Sequence, residues 1–361
     1  LTDRLPPLSA IVPIQVLRAL AAFMVAVHHA QADAAVLARQ AGQPFAGSNL
    51  LPWMAGVDIF FVVSGFIMVH ASGELFGRPG ASKLFLERRI ARIVPLYWAA
   101  TTLFLLVGLI VPAVLNSGAP NLAQIAGSYL FWPVVSTQGL VQPVYSLGWT
   151  LNYEMLFYVL FAGALVLPRG FVVPAVALAL LGLVGSAALA GPLPLPFGFW
   201  GQPIVLEFAA GMALALLRRR GLNLASQLRW GVAAAGIAIL LFGRELPFPA
   251  GPWRDVALHG SAASLLVLAA VSGREQAAPS VALRALARMG DASYALYLVH
   301  PFVIRGLREA FMRLGLHAPM LFIAAALVGA VIAALAVHRM FEVPATRWLR
   351  RQRDAGARRA I

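Results

Sequence analysis

The stretch Ile14–Ala30, IQVLRALAAFMVAVHHA, decides the fold. It is an apolar run with an arginine near one end and a histidine pair at the other. Arg18 and His29 stand eleven residues apart, about three helical turns at 3.6 residues each, so both fall on one stripe with Ala22 and Val25, roughly 16 Å apart along the axis. His28 points about 100° away. An ionisable group inside a lipid-spanning helix is costly, so two on one stripe point to a cavity or a partner rather than to lipid. The plain alternative is an Arg18 that snorkels to the headgroups and a His29 that hydrogen-bonds at the helix end.

Working outward, the 361 residues are 60% hydrophobic and only 12% charged, with a mean hydropathy of +0.80. A soluble globule with an ordinary polar surface is excluded. Apolar runs of about 17–25 residues fall near 12–32, 56–72, 92–115, 147–167, 171–190, 200–217, 229–243, 254–272, 289–313 and 319–341. The expected fold is therefore all-α, a polytopic membrane protein of about ten transmembrane helices, with the N- and C-termini on one side. Residues 1–349 make one transmembrane domain and 350–361, RRQRDAGARRAI, a disordered basic tail near anionic lipid. No internal repeat is visible.

Charge orients this map. About 21 of the 28 basic residues fall in segments on the N-terminal side and 6 on the other, with Arg18 inside the first span, which is the asymmetry of a cytoplasmic N-terminus. The net charge of +14 thus reports topology, and no nucleic-acid partner is expected. Lys83 is the single lysine, the bias of a GC-rich bacterial genome. The absence of cysteine excludes a thiol nucleophile and a thiolate metal site. The first apolar run is too long for the core of a cleavable signal peptide. Residues 33–55 and Asn116–Ser146 form the sizeable outer connections, the second a candidate acceptor lid with Asn121–Val135 as a short re-entrant or interfacial helix.

Four further stretches carry chemistry. Gly56–His70, GVDIFFVVSGFIMVH, places Asp58 near the outer end of the second span; it either pairs with His29 or is an acid at a helix N-terminus. Ser64-Gly65 reads as close helix packing. Ser82–Trp98, SKLFLERRIARIVPLYW, carries Arg88, Arg89 and Arg92 ahead of Pro95, a basic turn able to fork onto the phosphates of a nucleotide-bearing donor, though the positive-inside rule also asks for arginine there. Tyr145–Phe161, YSLGWTLNYEMLFYVLF, buries Glu154 beside Asn152 and Tyr153. A carboxylate at that depth has a salt-bridge partner or a catalytic task, while Trp149, Tyr153 and Tyr158 read equally as an aromatic belt. Glu207, in VLEFAAGMALALL, reads as a paired intramembrane charge. In Asp291–Pro301, DASYALYLVHP, Tyr294, Tyr297 and His300 share a loose face, and His300 before Pro301 reads as a structural histidine. No paired metal-ligand spacing is present, so no metal is expected.

In this order, LRALAAFMVAVHH, GVDIFFVVSGFIM, ERRIARIVPLYW, YSLGWTLNYEMLFY, LEFAAGMAL and DASYALYLVHP make the chain resemble the membrane acyltransferases of acyltransferase family 3. The NYE form of the fourth-span motif and the LEF-GM segment place it nearest the exopolysaccharide acetyltransferase branch. The resemblance covers about Ile14 to Glu342. It implies transfer of an acyl group, usually acetyl, from cytoplasmic acyl-coenzyme A to a carbohydrate hydroxyl at the bacterial inner membrane. Acyl-coenzyme A would be a co-substrate and no cofactor would be permanently bound. The family's arginine, ten-residue gap, histidine motif maps onto Arg18 and His29, and its basic turn onto Arg88, Arg89 and Arg92. Where family members often have serine-x-glutamate, this chain has Asn152-Tyr153-Glu154.

The expected roles follow from thioester chemistry, which needs a base at the acceptor hydroxyl, an orienter for that base and a polarised carbonyl. His29 is the general base or, failing that, an acyl carrier; Glu154 or Asp58 orients it. Arg18 lines the passage for the donor's pantetheine arm or polarises the carbonyl, and Arg88, Arg89 and Arg92 hold phosphates. Trp149, Asn152 and Tyr153 are the acceptor-binding candidates. A transporter of a lipid-linked glycan is the other class, disfavoured by the missing inverted repeat.

Overall fold

The computed structural model describes residues 11–111, 118–191, 193–273 and 279–359, with side chains described as far as 352. Its helices are α1 Val12–Gln40, α2 Gly56–Ser72, α3 Ala81–Ile110, α4 Leu122–Tyr129, α5 Trp149–Ala164, α6 Val172–Ala190, α7 Phe197–Trp200 and α8 Leu206–Arg219. They continue with α9 Ser226–Phe242, α10 Pro252–Asp255, α11 Ser261–Val271, α12 Val281–Asp291, α13 Ser293–Arg313, α14 Pro319–Val337 and α15 Val343–Arg359. Among the described residues the only β pairing is an isolated bridge between Val135 and Val141. The all-α membrane architecture expected from composition is what the chain adopts.

Each expected span holds a helix. Among the described residues seven helices are long and apolar enough to cross a bilayer. At the other three, α5 has 16 residues and α8 has 14, about 24 and 21 Å against a hydrocarbon core of about 30 Å. The third, α13, is 21 residues long but carries Arg305, Arg308, Glu309 and Arg313 in its second half.

The chain divides into two compact units. One comprises 1–71 and 207–338, the other 72–206 and 339–361. In the first, α1 packs against α12, α13 and α14. It runs eight residues past the expected end of its span because Ala34 and Leu37 are buried against Ile304, Phe311, Phe322 and Ala326. Asp33, placed in a loop by the sequence reading, instead sits on this helix and pairs with Arg308 at 2.5 Å. The α2 and α8 backbones touch through reciprocal glycines. A Cβ on Gly65 would strike the Phe208 carbonyl and one on Gly211 the Val62 carbonyl, the small-residue contact read from Ser64-Gly65.

In the second unit α3 packs against α4, α5 and α15, and α5 against α6. Asn121 caps α4 by accepting from the Gln124 N–H at 2.8 Å, and this is the short helix expected within Asn121–Val135. Asn116 lies outside the described residues. Pro95 lies inside α3 and has no N–H to give the Ala91 carbonyl four residues back. The Thr346 hydroxyl, on α15, donates to that carbonyl at 3.2 Å. The segment expected as a disordered tail from 350 is helical to Arg359. Its arginine, glutamine and alanine residues are good helix formers, and the π-turn His338–Glu342 continues it from α14.

Candidate functional site

The first unit centres its chemistry on α1 and α13. Ala22 and Val25 are fully buried, so the stripe that carries Arg18 and His29 faces protein, whereas His28 is exposed. Arg18 is half-buried and donates from Nη1 to Gln15 Oε1 at 2.9 Å.

His29 Nδ1 stands 2.9 Å from the Val25 carbonyl and 3.3 Å from His300 Nε2. A carbonyl only accepts, so Nδ1 of His29 carries the proton and Nε2 the lone pair. His300 is fixed in the same way. Its Nδ1 lies 2.9 Å from the Leu296 carbonyl, and it also contacts the Tyr297 carbonyl, which Pro301 leaves without a helical N–H. His300 therefore also holds its proton on Nδ1, and its Nε2 accepts a share of the His29 Nδ1–H. The ring centroids are 5.0 Å apart and tilted by 53°, and His300 is fully buried. The result is a half-buried imidazole with one nitrogen tied down and the other basic. The sequence reading took His300 as structural; its shared face with Tyr297 was the available signal, and only folding shows that this face meets His29.

Asp58 does not pair with His29. Its carboxyl meets that of Glu207, with His259 and Asp255 in electrostatic contact with it. Asp58 is 6% exposed and Glu207 is 2% exposed. No N–H or O–H donor reaches either Glu207 oxygen among the described residues. Glu207 Oε1 lies 2.8 Å from where a Cβ on Gly260 would stand, in the π-turn Val256–Gly260. Glu207 is thus paired, as read, but with another acid.

The second unit holds the remaining candidates. Tyr158 donates to Glu154 Oε1 at 2.5 Å. Arg89 is in electrostatic contact with both, and with Arg92 and Arg350. Its guanidinium carbon is 5.5 Å from the Phe85 ring centroid, and its Nε is buried without an acceptor among the described residues. Arg88 and Arg92 are half-buried on the same turns. Tyr153 stacks on Phe199 at 4.4 Å and donates to the Phe199 carbonyl at 2.8 Å, while Trp149 meets Tyr153 edge-on. Asn152 Oδ1 is buried and has no hydrogen-bond partner among the described residues.

The profile of the acyltransferase domain matches residues 12–339. The exopolysaccharide production protein ExoZ of Rhizobium meliloti (strain 1021) is 36% identical over 303 residues, covering 81% of this chain and 89% of that protein. The acyltransferase MdmB of Streptomyces mycarofaciens is 26% identical over 333 residues, 82% of each chain. No solved structure matches. With a profile that spans nearly the whole sequence and a relative of this similarity, the chain belongs to acyltransferase family 3 and is a multi-pass membrane acyltransferase.

Proposed function

We propose that the protein transfers an acetyl group from cytoplasmic acetyl-coenzyme A to a hydroxyl of an exopolysaccharide or another surface glycan, at the bacterial inner membrane. The single observation carrying this reading is the locked tautomer of His29, whose Nε2 is left as a base. The rhizobial relative, named for exopolysaccharide production, supports the acceptor class. The arginine asymmetry supports a cytoplasmic N-terminus.

The chemistry balances without an external acid or base. Nε2 of His29 takes the hydroxyl proton as the sugar oxygen bonds to the thioester carbon, and the carbonyl π pair moves onto oxygen. Collapse of that tetrahedral intermediate breaks the C–S bond, and the leaving thiolate takes the proton back from Nε2. His300 orients the ring and, being neutral, accepts from Nδ1–H more strongly once His29 is an imidazolium. Asp58, engaged by Glu207, has no part in orienting it. Arg18, roughly 16 Å along α1 from His29 and turned toward Gln15, is assigned to lining the passage for the donor's pantetheine arm, and Arg88, Arg89 and Arg92 to the donor's phosphates. Glu154, held by Tyr158, positions Arg89.

The test is purified His29→Ala protein with acetyl-coenzyme A and the isolated glycan, beside mass spectrometry of glycans from cells that make equal amounts of each protein. Loss of transferred acetyl with intact protein is expected. Transfer at the wild-type rate sinks the assignment of the base. Wild-type protein that moves glycan across vesicles without consuming the thioester sinks the reaction.

A further inference from the structure

We infer that Asp33 and Arg308 form the acceptor subsite beside His29, holding the sugar by two neighbouring hydroxyls while a further hydroxyl of the same ring meets Nε2. This subsite rests on the acetyl-transfer reading, to which it adds the place of the acceptor.

Two polar links tie α1 to α13. The first is the contact of His29 with His300; in the second, Arg308 Nη1 donates to Asp33 Oδ1 at 2.5 Å. Both residues of the second link stand later in their helices than those of the first, so the two helices run parallel and the ion pair lies on one definite side of the imidazoles. Asp33 follows His29 by four residues, on the same face of α1 and about 6 Å further along. Arg308 follows His300 by eight residues, about 12 Å, and its long side chain, tilted back toward the start of α13 as helical side chains are, makes up the difference.

In the proposed topology the N-terminal end of α1 is cytoplasmic, so Arg18 lies on the donor side of His29 and Asp33 on the acceptor side. The imidazole is turned to suit. Its Nδ1 is tied to the Val25 carbonyl, one turn toward the cytoplasm, and the other ring nitrogen faces away from that carbonyl. An acceptor that reaches Nε2 from the outer side comes within one helical turn of Asp33 and Arg308.

The pair keeps hydrogen-bonding capacity in hand. The Arg308 side chain is 28% exposed and that of Asp33 15%. Arg308 Nε is buried with no acceptor among the described residues, and the second carboxylate oxygen of Asp33 has no donor among them. A buried N–H without a partner costs free energy, and each carboxylate oxygen can accept two bonds. One such donor beside one such acceptor is what two adjacent sugar hydroxyls complement, one donating to the carboxylate and the other accepting from the guanidinium.

Packing does not need the ion pair. Ala30, Ala34 and Leu37 already bury against Ile304 and Phe311, and a partly buried ion pair adds little stability beyond an apolar contact of similar volume. One helical turn, about 5.4 Å, is also close to the width of a sugar ring. Anchoring at Asp33 therefore leaves a hydroxyl across the ring within reach of His29.

The experiment uses the full chain in nanodiscs, with acetyl-coenzyme A and the isolated, de-O-acetylated glycan. Steady-state transfer gives KM for each substrate, and the rise in unfolding temperature on adding glycan without thioester reports acceptor binding alone. The variants are Asp33→Asn, Arg308→Gln, the apolar pair Asp33→Leu with Arg308→Met, and Arg313→Ala, which breaks the exposed Arg313–Glu309 pair on the same helix.

Each single variant is expected to raise the acceptor KM about tenfold, the effect of one charge-assisted hydrogen bond, with the donor KM unchanged. The apolar pair should fold as stably as wild type and still lose the acceptor, and Arg313→Ala should match wild type. Should the apolar pair not fold, Asp33→Asn, which keeps the shape, carries the comparison. An acceptor KM left at the wild-type value in Asp33→Asn or in the apolar pair overturns the subsite and leaves the enzymatic reading standing. If wild-type protein transfers no acetyl, that reading falls, and glycan binding decides the subsite alone: weaker stabilisation of the variants supports it, and equal or absent stabilisation of all proteins overturns it.

Discussion

His300 Nε2 stands 3.3 Å from His29 Nδ1 across 271 residues of sequence, and each ring is pinned by a carbonyl one turn back on its own helix. The pair has the geometry of a base and its orienter, with a neutral imidazole where hydrolases commonly place a carboxylate. A neutral partner leaves no net charge buried when His29 is unprotonated, which suits a site inside a membrane.

Removing that partner is expected to slow turnover more than it weakens binding. His300→Ala should lower kcat by roughly 10- to 100-fold, the usual scale for loss of a group that orients a reacting ligand. His300→Gln, whose side-chain carbonyl oxygen still accepts from Nδ1–H, should recover part of the rate. Steady-state kinetics on purified protein decide it, since equal damage from alanine and glutamine contradicts an orienting role and indicates a packing one.

The facing acids Asp58 and Glu207 lead to a different expectation. Two carboxyl groups bond to each other only through a proton held between them. Glu207→Gln supplies a permanent N–H donor to Asp58 and should keep the folded protein at least as stable as wild type. Glu207→Ala leaves Asp58 buried without its partner and should cost about 1–3 kcal/mol. Thermal unfolding in detergent measures both. A glutamine variant as damaged as the alanine one rules out the shared proton.

The angular relation of Arg18 and His29 was readable because helical periodicity is local: both residues hang from one continuous helix, and the stripe between them is buried as the spacing implied. Partners in space were less legible. Span counting set Asp58 and His29 at the same end of neighbouring helices, but Gly56 packs at the level of Ala21 and Val25. The Asp58 carboxyl instead meets that of Glu207. A search for opposite charge also passes over Glu207 as the partner of an acid. His300 belongs to a helix docked by tertiary packing, and no periodicity reports that. The C-terminal helix was hidden for a related reason, because its docking point is a carbonyl exposed by a proline some 250 residues earlier.

The glycine contact of α2 with α8 leaves no space for a side chain on either helix. Gly65→Ala and Gly211→Ala should each destabilise by roughly 1–3 kcal/mol, the range for overpacking, because the obstructing atoms are backbone and cannot rotate away. Gly163→Ala, in α5 with open space around its Cβ position, is the control and should leave the unfolding temperature unchanged or slightly raised. Two glycine variants as stable as the control would mean that the backbones do not touch.

The docking of α15 is open to a double-mutant cycle. Thr346→Val removes the hydroxyl and leaves the Ala91 carbonyl unpaired. Pro95→Ala restores an N–H four residues on and gives that carbonyl a helical partner. In the Pro95→Ala background the hydroxyl is redundant, so Thr346→Val should cost less there than in wild type. The difference is expected at about 0.5–1.5 kcal/mol, the scale of polar contacts between membrane helices. Unfolding of the four proteins gives the coupling, and proteolysis within α15 should accelerate in Thr346→Val but little further in the double variant. Strictly additive effects would mean that the proline-freed carbonyl is not what holds the C-terminal helix against α3.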